Sequence, residues 1–198
     1  MRQFIKLFFI IFAICFLISC KDSVTDPNDT KDPNQGSAGL IPLKVGNNWK
    51  YNVYSNNLLA GELTLKVIYA TTINNYQYFK FDDETPFGEY VTNKQDGFYM
   101  SDTIDNFELL YFKYPTQVGD MFGMYQFKVI SIDTSITTIA GTFSTIYYQS
   151  KMQQGEGQEY NINVFIKPNL GIIKYGIETK QGTTTNSSSL QLSSYTLK

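Results

Sequence analysis

The side chains able to do chemistry are few in kind. The 198-residue sequence carries 18 Asp and Glu, 15 Tyr, two Cys and no histidine. Without an imidazole, Ser-His-Asp and Cys-His catalysis, His-ligated zinc and His general bases are impossible. An enzyme would have to work with carboxylates, Lys, Tyr or Ser. The densest acidic stretch is Asp82-Asp83-Glu84, with Glu89 following Pro86-Phe87-Gly88. It could hold calcium or a carboxylate pair, but its spacing matches no calcium loop, and a solvated loop between strands is the better reading. Glycosidase carboxylates must face each other across a cleft, and linear spacing nominates no such pair. The sequence therefore assigns no catalytic residue, no metal ligand and no cofactor. Cys20 stands apart, because it directly follows Leu17-Ile18-Ser19 at the end of an apolar run.

That run supplies the context for Cys20. Arg2 and Lys6 lead into twelve apolar residues, Leu7 to Ile18, which is the layout of a secretory signal. A spanning helix needs about 20 apolar residues, so the stretch is too short to cross a membrane. Residues 1–19 are expected to be removed. The Leu17-Ile18-Ser19-Cys20 ending resembles the bacterial lipobox, in which the cysteine is lipidated and becomes the mature N-terminus. The resemblance implies a palmitate-bearing Cys20 and a membrane as partner. A single acyl chain binds only marginally, so stable attachment takes a multiply acylated cysteine. Cys15 leaves with the signal, so the folded part has neither a free thiol nor a disulfide.

Arg2 and Lys6 also leave, and the mature chain keeps 14 of 16 Lys and Arg against 18 Asp and Glu, a charge of about −4. No basic excess exists to neutralise phosphates, which excludes nucleic acid as a partner and leaves the lipid as the membrane attachment. Residues 20–39 read as a disordered tether, rich in Asp, Asn, Pro, Thr and Ser. Its acids (Asp22, Asp26, Asp29, Asp32) resemble the acidic surface-export signals of Bacteroidetes-type lipoproteins. The expected location is the bacterial cell envelope, at the outer membrane, on its periplasmic or surface face.

The elements that would position any site begin at Leu40. Trp49, Tyr51 and Val53 alternate with polar residues, Asn56-Asn57 marks a turn, and Leu63, Leu65, Val67 and Tyr69 resume the alternation, which describes a hairpin. The same period recurs in 76–81, 125–132, 143–148 and 160–166, with shorter strands near 89–92, 98–101 and 107–113. Asn74-Asn75, Asp96-Gly97, Ala140-Gly141 and Pro168-Asn-Leu-Gly171 punctuate them. Leu190 and Leu192 share one parity and Tyr195 and Leu197 the other, which predicts a bulge between the pairs or a change of face. No long stretch has a helical period. The expected fold is all-β: a single antiparallel, strongly curved sheet, or an open half-barrel or sandwich, of about 9–11 strands.

An internal repeat organises these strands. Pro42-x-x-Val45-Gly46-Asn47-x-Trp49 and Pro115-x-x-Val118-Gly119-Asp120-x-Phe122 share one pattern, and the stretches ending in Gly97 and Gly171 share another at nearly the same offset. Proline fixes φ, glycine supplies a positive φ and Asn or Asp stabilises the turn. The expectation is two pseudo-equivalent halves, 40–113 and 114–198. Pro42 to Tyr51, Tyr114 to Asp120, Ala140 to Phe143 and Pro168 to Lys174 together resemble, in order, a group of uncharacterised Bacteroidetes-like envelope lipoproteins. The resemblance implies an envelope β-domain and carries over no site residue.

Trp49, the only tryptophan, could stack on a sugar, but its place in an alternating strand favours core packing. Tyr147-Tyr148 and Tyr76 to Phe81 put aromatics on both strand faces. The expected function is a non-catalytic binding or scaffold module with an outward aromatic face for a glycan, lipid or protein ligand. The alternative is a histidine-free, carboxylate-dependent hydrolase acting on glycans.

Overall fold

The computed structural model describes residues 39–73, 75–82, 90–102, 107–155 and 157–198. The signal 1–19, the tether up to residue 38 with Cys20, and the acidic loop from Asp83 to Glu89 lie outside the described residues. The chain divides into two units, Met1–Lys31 and Asp32–Lys198, and the described residues all belong to the second.

They form twelve strands. The first six are β1 (Asn48–Ser55), β2 (Leu58–Ile73), β3 (Tyr76–Phe81), β4 (Tyr90–Lys94), β5 (Gly97–Asp102) and β6 (Phe107–Lys113). The second six are β7 (Met121–Phe122), β8 (Phe127–Thr138), β9 (Gly141–Gln154), β10 (Gln158–Lys167), β11 (Gly171–Gln181) and β12 (Thr184–Thr196). All join one antiparallel sheet in the order β6-β5-β4-β3-β2-β1-β12-β11-β10-β9-β8-β7. Sequence neighbours pair except β6 and β7, which lie at the two ends of the sheet, and β1 pairs with β12 to join the halves. The sheet curls into a nearly closed barrel, with a seam where β6 and β7 end it. The strand count exceeds the sequence expectation because β7 is two residues long, too short to leave an alternation.

Bulges produce the curl, since each adds a residue to one strand and sharpens the local twist. The register of β1 on β12 steps from Lys50↔Ser194 to Tyr51↔Leu192, skipping Ser193. That is the parity change foreseen between Leu192 and Tyr195. Two further steps bend the β8–β9 hairpin, and the amide of Ala140 at its tip donates to Leu192 O at 3.4 Å.

Alternation fills the interior. Phe98, Phe112, Phe127 and Tyr148 form its aromatic side, while Val67, Val164, Ile166, Ile173 and Leu192 form an aliphatic one, all buried. Leu40, Ile41 and Leu43, which precede β1, are buried with them. Asn93 Nδ2 holds this segment by donating to Ile41 O at 2.7 Å. Side chains rather than a strand ladder draw the seam together. Phe112 of β6 packs on Phe127 (5.5 Å between centroids) and Tyr148 (5.3 Å), and the Tyr148 hydroxyl donates to Lys113 O at 2.9 Å. Lys113 Nζ lies 3.0 Å from Asp120 Oδ2. The Gln117 amide, then Lys113, hold the Asp120 carboxyl below its ordinary value.

The two Pro-x-x-Val-Gly turns match at the glycine and the residue after it. Gly46 and Gly119 both have φ +93°. Gly46 N donates to Val67 O (2.8 Å) while Val67 N donates to Asn47 O (2.9 Å), and Gly119 N and Asp120 O bracket Val129 in the same way, both at 2.9 Å. A positive φ strains any residue with a Cβ. Around Gly119 a Cβ would meet nothing within 4 Å, so Gly119→Ala isolates the backbone term. It should destabilise the domain by about 1–3 kcal/mol in denaturant melts. Gly61→Ala, at an equally open position without a positive φ, should be neutral or stabilising. Equal behaviour of the two variants would remove the conformational argument.

Candidate ligand-binding groove

The residues with the most unclaimed polar chemistry lie on the face of β9–β12 turned away from the core. Alternation puts Ile162, Val164 and Ile166 inside and leaves Asn161, Asn163 and Phe165 outside. Register then assembles a lattice across four strands. Tyr147, Phe165, Lys174 and Gln191 stand side by side, as do Gln149, Asn163, Gly176 and Ser189. Next come Lys151, Asn161, Glu178 and Ser187, and then Gln153, Glu159, Lys180 and Thr185.

Gly176 makes a dip in the middle of this lattice. A Cβ there would come no closer than 3.8 Å to any neighbour, so the depression is a missing side chain rather than a tight backbone approach. One basin of about 380 Å³ surrounds Gly176 between Tyr147 and Ser189. A second, of about 720 Å³, continues past Lys151, Glu159 and Lys180, and the two share Asn161 and Glu178. Each volume lies within the range of a small-ligand site.

The polar side chains of the groove are held in place by one another. The Tyr147 ring stacks on Phe165 at 4.5 Å and 16°, and its hydroxyl donates to Asn163 Oδ1 at 2.6 Å. Gln149 Nε2 donates to the same oxygen at 3.0 Å and to the Tyr147 hydroxyl at 2.8 Å. Burial, above all, raises the Tyr147 pKa, so the phenol stays protonated at neutral pH. Asn161 Nδ2 donates to Glu178 Oε2 at 3.3 Å, while its Oδ1 is buried and lacks a hydrogen-bond partner. An unpaired buried acceptor costs about 1–3 kcal/mol, which a well-placed donor would recover.

The outer face of β3–β6 is different in kind, because its own side chains fill it. Glu108 accepts from the Tyr78 hydroxyl and from Lys94 Nζ, both at 2.5 Å. The Lys94 ammonium also sits over the Tyr76 ring at 4.3 Å and the Tyr99 ring at 5.0 Å, a cation–π arrangement. Burial, then the Asp96 hydrogen bond, pushes the Tyr99 phenol up to about 12. Among the described residues of this face, Glu108 and Lys94 satisfy each other.

The sequence candidates fall as follows. Trp49 is 2 % exposed and belongs to the core. Tyr148 is buried while Tyr147 lines the groove, so that pair does serve two faces. Asp82, the described end of the acidic stretch, accepts from the Lys66 amide at 2.8 Å. Among the described residues, no three Cys, Asp or Glu converge as a metal site. Sequence reasoning missed the groove as a unit; the alternation Asn161-Ile-Asn163-Val-Phe165 was its only local signal.

No family model matches the chain, and no curated protein does. Two solved structures share its fold. One is described as an exported protein with a YmcC-like fold from Bacteroides fragilis, at 15 % identity and TM-score 0.53, covering 81 % of this chain and 100 % of its own. The other is described as a lipoprotein from Parabacteroides distasonis, at 13 % identity and TM-score 0.55, covering 82 % and 100 %.

Proposed function

We propose that this chain is a bacterial envelope lipoprotein, anchored at the outer membrane through acylated Cys20, whose β-domain is a non-catalytic binding module. The observation that carries the binding reading is the Gly176 dip, set in a lattice of amides, hydroxyls and one aromatic pair. The anchor reading is supported by Leu17-Ile18-Ser19-Cys20 behind an apolar run, and by two similar folds described as an exported protein and a lipoprotein. The matching turns at Gly46 and Gly119 support two pseudo-equivalent halves, of which the second carries the open groove.

In the groove, the competing hydrolase reading has the pair Glu159 and Glu178. They lie on neighbouring strands at diagonal lattice positions, where Cβ atoms are roughly 7–8 Å apart. Both are exposed, without the enclosed, water-poor setting that makes a carboxyl a general acid at neutral pH.

Cross-linking in the native envelope tests the binding reading. A photoreactive phenylalanine analogue in place of Ser187, beside Glu178 on the groove face, should give a discrete adduct on irradiation. The same analogue in place of Ser135, exposed on β8, should not, and Gly176→Trp should remove the Ser187 adduct. Equal labelling at both positions would contradict a ligand site in the groove.

A further inference from the structure

Resting on that reading of the groove, we infer that its ligand is an uncharged oligosaccharide. Each other class of polymer needs something this face lacks. An extended peptide binds a sheet by pairing with a free edge. Around Gly176, β9 to β12 are hydrogen-bonded to neighbours on both sides, and only the end of β9 beyond Gln149 keeps an edge unpaired with β8, so the centre of the groove offers a peptide no main-chain groups. A polyanion needs clustered cations. Lys180 stands directly across from Glu159, Asn161 lies between Lys151 and Glu178, and Lys174 stands apart between Phe165 and Gln191, so the cations are dispersed among acids and neutral groups instead of clustering. An acyl chain needs a continuous apolar wall, and the apolar surface here is broken by Gln149, Asn161, Asn163 and the serines 187–189.

A sugar matches what is present. Every hydroxyl both donates and accepts, and amides and serine hydroxyls offer both functions at closely spaced points. A row of vicinal hydroxyls can thus bridge the strands where a single-function ligand would leave groups unpaired. The Tyr147–Phe165 pair supplies the second element of saccharide recognition. Ring faces carry the negative side of the aromatic quadrupole, and the C–H face of a pyranose carries a weak positive charge. Two basins joined at Asn161 and Glu178 extend the path from the aromatic pair towards Thr185, so the groove suits a short chain more than one ring. Gly176 leaves room for that chain to cross between Asn163 and Ser189.

The test is calorimetric titration of the mature lipoprotein in detergent with three probe sets: neutral tetra- to hexasaccharides from glucan, xylan and mannan, uronate oligosaccharides, and extended hexapeptides. At least one neutral saccharide should bind, and Gly176→Trp should weaken it at least tenfold with the melting profile unchanged. Asn163→Leu, which removes the acceptor shared by Tyr147 and Gln149, should weaken it as well. Binding of uronates or peptides alone, lost in Gly176→Trp, would overturn the uncharged saccharide as ligand while leaving the groove in place. Saccharide binding untouched by both substitutions would overturn the groove itself. Failure of every saccharide to bind at millimolar concentration would overturn the inference, and Ser187 cross-linking would then judge the groove independently.

Discussion

Trp49→Ala should remove about 3–5 kcal/mol of folding stability, the largest loss available to a single side chain of this domain. Against a total of roughly 5–15 kcal/mol for a typical domain, that leaves a marginal fold. The indole is 2 % exposed and touches three parts of the sheet at once. Its N–H donates to Leu170 O at 2.6 Å, in the turn between β10 and β11. Its ring meets Phe81 of β3 edge-on, 6.2 Å between centroids at 65°. A Cβ on Gly171 would approach its Nε1 to 3.3 Å, so the ring fills the space that this glycine leaves. Truncation therefore opens a cavity and strands a buried carbonyl together. Trp49→Phe keeps much of the volume and loses the hydrogen bond, so it should cost less than half as much. Because Trp49 is the only tryptophan, unfolding must be followed by far-ultraviolet circular dichroism rather than intrinsic fluorescence. A loss below about 1 kcal/mol, the scale of an ordinary surface change, would show that Trp49 does not lock β1 to the β10–β11 turn.

The second large effect is all-or-none. Cys20→Ser should abolish palmitate labelling and move the protein out of the membrane fraction, while the β-domain melts as before. The reasoning is physical. With residues 1–19 removed, as proposed, the chain would carry a charge of about −4, with no excess of Lys and Arg to hold it on anionic lipid, and among the described residues no helix is long and apolar enough to span a bilayer. If acylation is the whole of the attachment, its removal leaves nothing in reserve. A Cys20→Ser protein that still sediments with membranes would require a different anchor.

Local grammar was legible in the sequence because a single residue can dictate it. Asn56 and Asn57 take φ 48° and 64°, as the turn between two alternating runs required. The bulge at Ser193 was readable from the parity of Leu192 and Tyr195, because a strand can change the face it buries only by adding a residue. Trp49 and Tyr148 went to the core for the same reason of alternation. What stayed hidden was partnership. Periodicity says which face of a strand is apolar and nothing about which strand lies beside it, so the β1–β12 pairing that nearly closes the barrel left no trace. The two-residue β7 and the polar start of β12, Thr184 to Ser189, offered no apolar alternation to detect. The groove depends on both gaps, since Asn163, Gly176 and Ser189 become neighbours only when three strands take their register. Pairing, more than composition, made the site.

Site-resolved mapping of a bound saccharide is the most direct test of the account. The mature lipoprotein, isotope-labelled and held in detergent micelles, would be titrated with the neutral oligosaccharide that binds it most tightly, and amide shifts followed by nuclear magnetic resonance. The prediction is that perturbations concentrate at Tyr147, Asn163, Gly176 and Ser189, fade towards Lys94 and Glu108 on the opposite half, and vanish in Gly176→Trp. Shifts centred on β3–β6 or on the β6–β7 seam, with the β9–β12 face unmoved, would contradict it.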